Sequence, residues 1–455
     1  MQKAPPPIII TEGMHQTYII KKYAVDKIAF LGLFIASLLA AQLVTTSRSS
    51  IKLSGPIKSN GVDLLVSMPN GNGWHSEDRW RFRNNAFFLS SVFAVRSGGV
   101  TALAHCRYLL AAEKKLPDTQ FEQKASALGG TIEKTDKIQI DSLTVNWAHI
   151  KKQKTPFELF FGVADLPNNR QINIEVFHPA EDEEPAEQAF NCIVASLKFQ
   201  DNQLLDAGSK IVTTIKDKTL KSLAGNNQGH SQQETFLIRN AAKQDVGFTI
   251  DTLLINPPGS TKPDIQSANY YYIRNRYDKE QVAYFQGSND LTEFTWKGEI
   301  SGAEGTIGTE VMLDSNGVMT VRILDSQAEE EKYYPGPAAI PDIFAESAFA
   351  AMLDSNCPKI ILDLIQSDGT ITPMLISRID AQNIPVNEKF IIAFKLEFLN
   401  RQGFSEQVYL DGSRQISKIL LQQEDPYIIE RADVKNIFEK FPKQAERALQ
   451  KRLLE

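Results

Sequence analysis

Apolar positions fall into three regimes along this chain. Residues 28–47, IAFLGLFIASLLAAQLVTTS, run from Ile28 to Ser47 without a charge and are bracketed by Lys27 and Arg48. A run of roughly 20 apolar residues is long enough to cross a hydrocarbon core as a helix. Period-two alternation mixed with short helical stripes then covers residues 53–200, and almost uninterrupted period-two alternation covers 234–424. The pattern predicts an α+β protein: a tail (1–27), a transmembrane helix (28–47), an α/β domain (53–200), a linker helix with a flexible linker (201–233), a β-rich curved-sheet domain with a covering helix (234–424) and a terminal amphipathic helix (425–455).

Within the first soluble region, GVDLLVSMPNGNGW reads as a strand and an Asn/Gly turn. Val145, Trp147 and His149 share one strand face, as do Ile172, Ile174 and Val176. FFLSSVFAV (87–95) and FELFFGVADL (157–166) read as more fully buried strands. Two helices are expected to cover this sheet. One follows Pro117, with Thr119 and Glu122 spaced as a capping box, Phe121, Ala125 and Leu128 on one face, and Gly129-Gly130 as its stop. The other begins near Pro185 and carries Phe190, Ile193, Val194 and Leu197. Residues 201–223 read as a further helix, and AGNNQGHSQQ (224–233) breaks all periodicity.

The 234–424 region reads as strand after strand, and FIIAFKLEFL places Phe390, Ile392, Phe394, Leu396 and Phe398 on one face. Such a row needs a core, a second sheet or an apolar ligand to cover it. With Phe294 and Trp296, it forms the candidate ligand-binding face. IPDIFAESAFAAML predicts one helix between these strands, and DSNG (314–317) a hairpin turn rather than a calcium loop, since no Gly-x5-Glu pattern follows. The last helix, restarted at Pro442, carries Val434, Ile437, Phe438, Phe441, Ala445, Ala448 and Leu449 on one stripe. It docks on its own domain or, being locally basic, touches anionic lipid.

Composition narrows the function. The 455 residues are 42% hydrophobic and 23% charged, with a formal net charge of −6, which fits a folded protein of two or three domains and argues against a nucleic-acid partner. Three cysteines, Cys106, Cys192 and Cys357, match no metal-ligand spacing. They allow at most one Cys106–Cys192 bridge in an oxidising compartment. The apolar N-terminal run is longer than the core of a cleaved signal peptide and lacks a small-residue cleavage site, so a retained anchor is expected. Lysines and arginines flank it almost evenly, which leaves orientation to its early position; the large C-terminal portion is expected outside the cytoplasm, as in a bacterial periplasm.

No phosphate-binding loop, nucleophile elbow or H-E-x-x-H motif occurs. A metal site would need His75, His149 and His178 to converge with a carboxylate such as Glu77, which nothing in their spacing requires. Glu181-Asp182-Glu183-Glu184 reads as helix N-terminal charge rather than a cation site. No catalytic residue, cofactor or metal is therefore assigned.

VDLLVSMPNGNGW, the helix ending Leu128-Gly129-Gly130 and AEQAFNCIVASLKF together resemble the PsbP-like α/β/α sandwich, and the resemblance implies a docking or assembly module. The second region, with FLIRNAAKQDVGF, its long antiparallel sheet and its covering helix, resembles the half-barrels of LolA- and LppX-type lipoprotein carriers. That resemblance implies an apolar concavity suited to an acyl chain or to a partner's apolar segment. The expectation is a membrane-anchored extracytoplasmic protein that binds another envelope protein, or alternatively a carrier or sensor of lipid.

Overall fold

The computed structural model describes residues 51–452 except 60, 95–99, 153–156, 201, 221–229, 256–263, 275–277, 303–304, 325, 327–329, 380–391, 402 and 424–425. Beside a small three-stranded sheet (Ile57–Ser59, Val62–Val66, Lys198–Phe199), the first of its two large sheets has eight strands, and the long ones are antiparallel neighbours in the order Ala86–Ala94, Val100–Leu109, Arg170–Pro179, Phe157–Leu166, Leu143–Lys152, Gly130–Ile140. Helix α1 (Pro117–Leu128) lays Phe121 and Ala125 on one face, against Ile150, Leu159 and Phe161. Helix α2 (Glu183–Ser196) lays Phe190, Ile193 and Val194 on the other. The capping box expected for α1 is not made: the N-cap is Leu116, no side chain caps it, and Pro117 occupies the first turn, where a missing N–H costs nothing. Gly129 ends the helix in the left-handed conformation, as expected.

The second sheet has fifteen strands. The chain enters at its middle with His230–Asn240, inside the stretch expected as a linker, and steps outward by antiparallel hairpins to Glu331–Tyr333 at one edge. It reappears at the opposite edge with Ala339–Pro341, then runs inward from Lys359–Ile365 until Tyr427–Arg431 pairs with His230–Asn240. Laid flat, fifteen strands would hold the two edges about 65 Å apart. The six positions from Tyr333 to Ala339 reach about 20 Å at most. The sheet must therefore curl almost into a barrel. Contacts between its two arms confirm the closure: Thr309 Oγ1 donates to the Ser367 carbonyl at 2.9 Å, and Gly369, at φ +80°, sits so close to Val321 that a Cβ would lie 2.4 Å from its side chain.

Helix α3 (Gln203–Thr214) crosses the Lys359–Ile365 strand near this seam, with Gly208 so tight on it that a Cβ would lie 1.9 Å from the Ile361 carbonyl oxygen. A 3-10 turn (Asp342–Phe344) and helix α4 (Ala345–Asp354) fill the concave side. Helices α5 (Val434–Lys440) and α6 (Pro442–Arg452) cover the convex side, where Ile437, Phe441, Ala445 and Ala448 bury against Leu237, Phe248, Ile250, Tyr270 and Tyr272.

The expected α+β class with an N-terminal transmembrane helix is corrected to a mostly β protein. Strands outweigh helices among the described residues, the helices are short covers, and among those residues no helix is long and apolar enough to cross a membrane. Residues 28–47 themselves lie outside the described part. The physical reason is that a single curled sheet can bury its own concave face with one helix, so few helices are needed. Cys106, Cys192 and Cys357 are all free thiols.

The two sheets share one continuous apolar core and a buried polar joint. Arg170 donates from Nη2 to both Asp363 oxygens at 2.9 Å and from Nη1 to Tyr108 Oη at 3.2 Å, while the Tyr108 hydroxyl donates to Asp63. Beside it, Asn85 donates to the Gly369 carbonyl at 3.0 Å and accepts from the Ile371 N–H at 2.6 Å. Burial raises the Asp63 and Tyr108 pKa values, with Arg170 opposing. Burial would lower that of Arg170, but Asp363, Tyr108 and Asp63 raise it.

Candidate functional site

The apolar face expected to meet a ligand meets helix α4 instead. Phe294 and Trp296 are buried against Phe285, with ring centroids at 5.4 and 5.8 Å, and Phe285 meets Phe344 edge-on at 5.6 Å. Phe394 stacks on Phe349 at 4.7 Å, and Leu396 is buried in the same core. Ile392 and Phe398 are half-buried at its margin, and Phe398 meets Phe404 at 4.6 Å. Phe390 lies outside the described residues. Of the six described members, four lie in this core and two pack at its margin, on the concave side that the 3-10 turn and helix α4 also fill.

The concave side also collects carboxyls that are scattered in the sequence. Asp342 and Glu406 are half-buried, whereas Glu346 stands exposed in the first turn of α4. Burial, reinforced by Asp368 and Asp251, pushes Asp342 up to about 7, and burial alone pushes Glu406 up to about 7; Glu234 and Asp251 act upward on the exposed Glu346 as well, with water screening them. Arg431 offsets part of this charge, with Nη2 2.6 Å from Glu234 Oε1. Asp251 accepts from the Asn269 amide and the Thr249 hydroxyl.

A second cluster lies on the first sheet, on the face covered by α2. His149, Glu158 and His178 stand on three adjacent strands; His178 is directly opposite Glu158, and His149 is opposite Phe160, two residues along from Glu158. One donor atom of each residue lies within 4.8 Å of the other two. The rings of His149 and His178 stack over Phe160 at 4.3 and 5.2 Å, so the cluster has an apolar floor. His178 Nδ1 donates to the Pro179 carbonyl at 2.8 Å, which leaves Nε2 as the lone-pair nitrogen. Burial pushes His178 down to about 4, so the ring is neutral near pH 7. His149 Nδ1 lies 3.0 Å from Glu133 Oε2 and 3.7 Å from Glu183 Oε1, at the start of α2. On the other side of that ring, Nε2 is 2.9 Å from Glu158 Oε2. Yet these two atoms are not aligned as a hydrogen bond, and they and His178 Nε2 are buried without a hydrogen-bond partner.

The structure thus brings together His149 and His178 of the constellation considered from the sequence, but not His75 and Glu77. His75 stands on the strand Trp74–Ser76, at the far edge of the sheet from His149, and Glu77 pairs with Arg81 at 2.9 Å. The carboxylate actually supplied, Glu158, was read only as part of a buried strand. The signal available was the polar interruption of FELFFGV beside two strands that each carried a histidine.

Fold and clusters define a β-rich protein with a filled, nearly closed second sheet. No family model matches the chain, and no curated protein matches it. Among solved structures, the chain is similar to the "Beta-barrel-like Protein of Domain of Unknown Function DUF1849 from Brucella abortus", with 9% identity and a TM-score of 0.32 over 45% of this chain and 96% of that one. Similarity at this level transfers neither a topology nor a function.

Proposed function

We propose that this chain is a binding and assembly protein that works at a membrane surface by docking another envelope protein, rather than by enclosing a ligand. The observation that carries the reading is the occupied interior: Phe344 and Phe349 already cover the apolar rows that a lipid would have to contact. A carrier would have to expel a helix whose buried residues include Ala348, Phe349, Ala351 and Met352, at a cost of several kcal/mol. The PsbP-like order of strands and helices read in residues 53–200 adds to the docking side of the argument, and the LolA-like reading of 234–424 loses its main premise of an open concavity. Placement at a membrane, outside the cytoplasm, rests on the uncharged residues 28–47.

The test is to fuse a reporter active only outside the cytoplasm after residue 455, fractionate the cells, and crosslink the full chain in its own envelope. An active, membrane-bound reporter together with a discrete crosslinked partner is the expected result. An inactive reporter, or native mass spectrometry that finds co-purified lipid and no protein partner, would overturn the reading.

A further inference from the structure

We propose that His149 Nε2, His178 Nε2 and a Glu158 carboxylate oxygen form a binding site for a divalent transition metal ion of the zinc class, just beneath the surface of the first sheet. Three features of the geometry point to an ion rather than to a buried ion pair. First, His178 has a single tautomer that satisfies its hydrogen bond to Pro179, and in that tautomer its other nitrogen offers a lone pair into the cluster with nothing to accept it. Orphaned polar atoms of this kind are rare in native interiors and call for a cation or a water. Second, His149 Nδ1 faces the Glu133 carboxylate; if Nδ1 carries the proton, Nε2 presents a second lone pair to Glu158. A carboxylate that holds the far nitrogen of an imidazole is the common arrangement behind a metal-bound histidine. Third, Glu158 Oε2 and His149 Nε2 are 2.9 Å apart without hydrogen-bond alignment, as two acceptors aimed at a shared point would be.

Two imidazoles and one carboxylate are a donor set for a borderline ion, and they leave a fourth position of a tetrahedron free. With bonds of ~2.0–2.2 Å, the donors of such an ion stand about 3–4 Å apart, so binding draws this cluster inward slightly. The half-exposed carboxylates Glu133 and Glu183 mark the approach from solvent. All three ligands stand on neighbouring strands under α2, so an ion there ties the sheet to the start of that helix. The competing arrangement is a protonated His149 held between Glu133 and Glu158 with no ion.

The experiment uses the full chain, free of any histidine tag and stripped with a chelator, titrated with zinc alone and with cobalt(II) alone. The expected result is one zinc per chain, a cobalt spectrum of tetrahedral intensity, and a zinc-dependent rise in melting temperature. His149→Ala and His178→Ala should abolish all three. Glu133→Gln should leave the stoichiometry intact but weaken binding by about 10- to 100-fold. Far-UV circular dichroism checks that each variant folds, and Glu158→Gln, which keeps the side-chain volume, serves if the histidine variants do not. Failure of the full chain to take up zinc at millimolar concentration would overturn the proposal in favour of the ion pair. Uptake undiminished in folded His178→Ala or Glu158→Gln would overturn it as well.

Discussion

Asp342 and Glu406 retain their protons well above the range of ordinary carboxyls, both at about 7, because the curled sheet takes them largely out of water. In the unfolded chain they titrate near 3.8 for Asp and 4.5 for Glu. Between those values and about 8, the unfolded state releases protons that the folded state keeps, so rising pH favours unfolding. Their contribution to stability is fully present below about pH 4 and lost by about pH 8. The melting temperature of the wild type should therefore carry a downward component between pH 4.5 and 8, and the double variant Asp342→Asn, Glu406→Gln should show a flatter profile when both are melted in parallel. A steeper fall in the variant would refute the assignment. In the sequence these residues look like any solvated acid; only the folding of distant strands around one helix makes them neighbours.

At the scale of elements, period-two alternation was a faithful guide. Val145, Trp147 and His149 do share a buried face, as do Ile172, Ile174 and Val176, and FELFFGVADL is the strand Phe157–Leu166. Turns were legible for the same local reason: Asp314 Oδ1 accepts from the N–H groups of Asn316 and Val318 at 2.9 Å, which makes DSNG a hairpin turn. The terminal helices were read with two outcomes open, and the structure decides between them by burying Ile437 and Phe441 on the convex sheet face. Phe441→Ala should lose about 3–5 kcal/mol in chemical denaturation, with no change in binding to anionic vesicles. Loss of vesicle binding in a folded variant would restore the lipid reading. The capping box failed because Pro117, two residues ahead of Thr119, starts the helix first.

For the whole molecule, the decisive joint is Arg170 with Asp363, whose side chains are 1% and 2% exposed. Removing one member of such a pair leaves an uncompensated buried charge, at about 3–5 kcal/mol. The two sheets also share one apolar core, so calorimetry of the wild type should give one cooperative transition. Arg170→Met should lower the transition and split it in two, as the first sheet parts from the second. A single, unshifted transition in that variant would mean that the joint contributes nothing. Neither partner could be picked out beforehand: an arginine after Asn168-Asn169 and an aspartate within KIILDLI sit 193 residues apart, and no local pattern couples them.

The sequence by itself determined where strands, turns and the short covering helices lie, because those depend on residues within a few positions of one another. It also contains, with no help from the fold, the uncharged run at residues 28–47. The tertiary structure alone decided that the fifteen strands curl on themselves, that helix α4 occupies the face expected to hold a ligand, that Arg170 finds Asp363, and that His149, His178 and Glu158 converge while His75 does not. Each of these is a choice of neighbours across the sheet. Such choices are made by register and closure over long loops, whose cost and reward no single stretch of sequence carries.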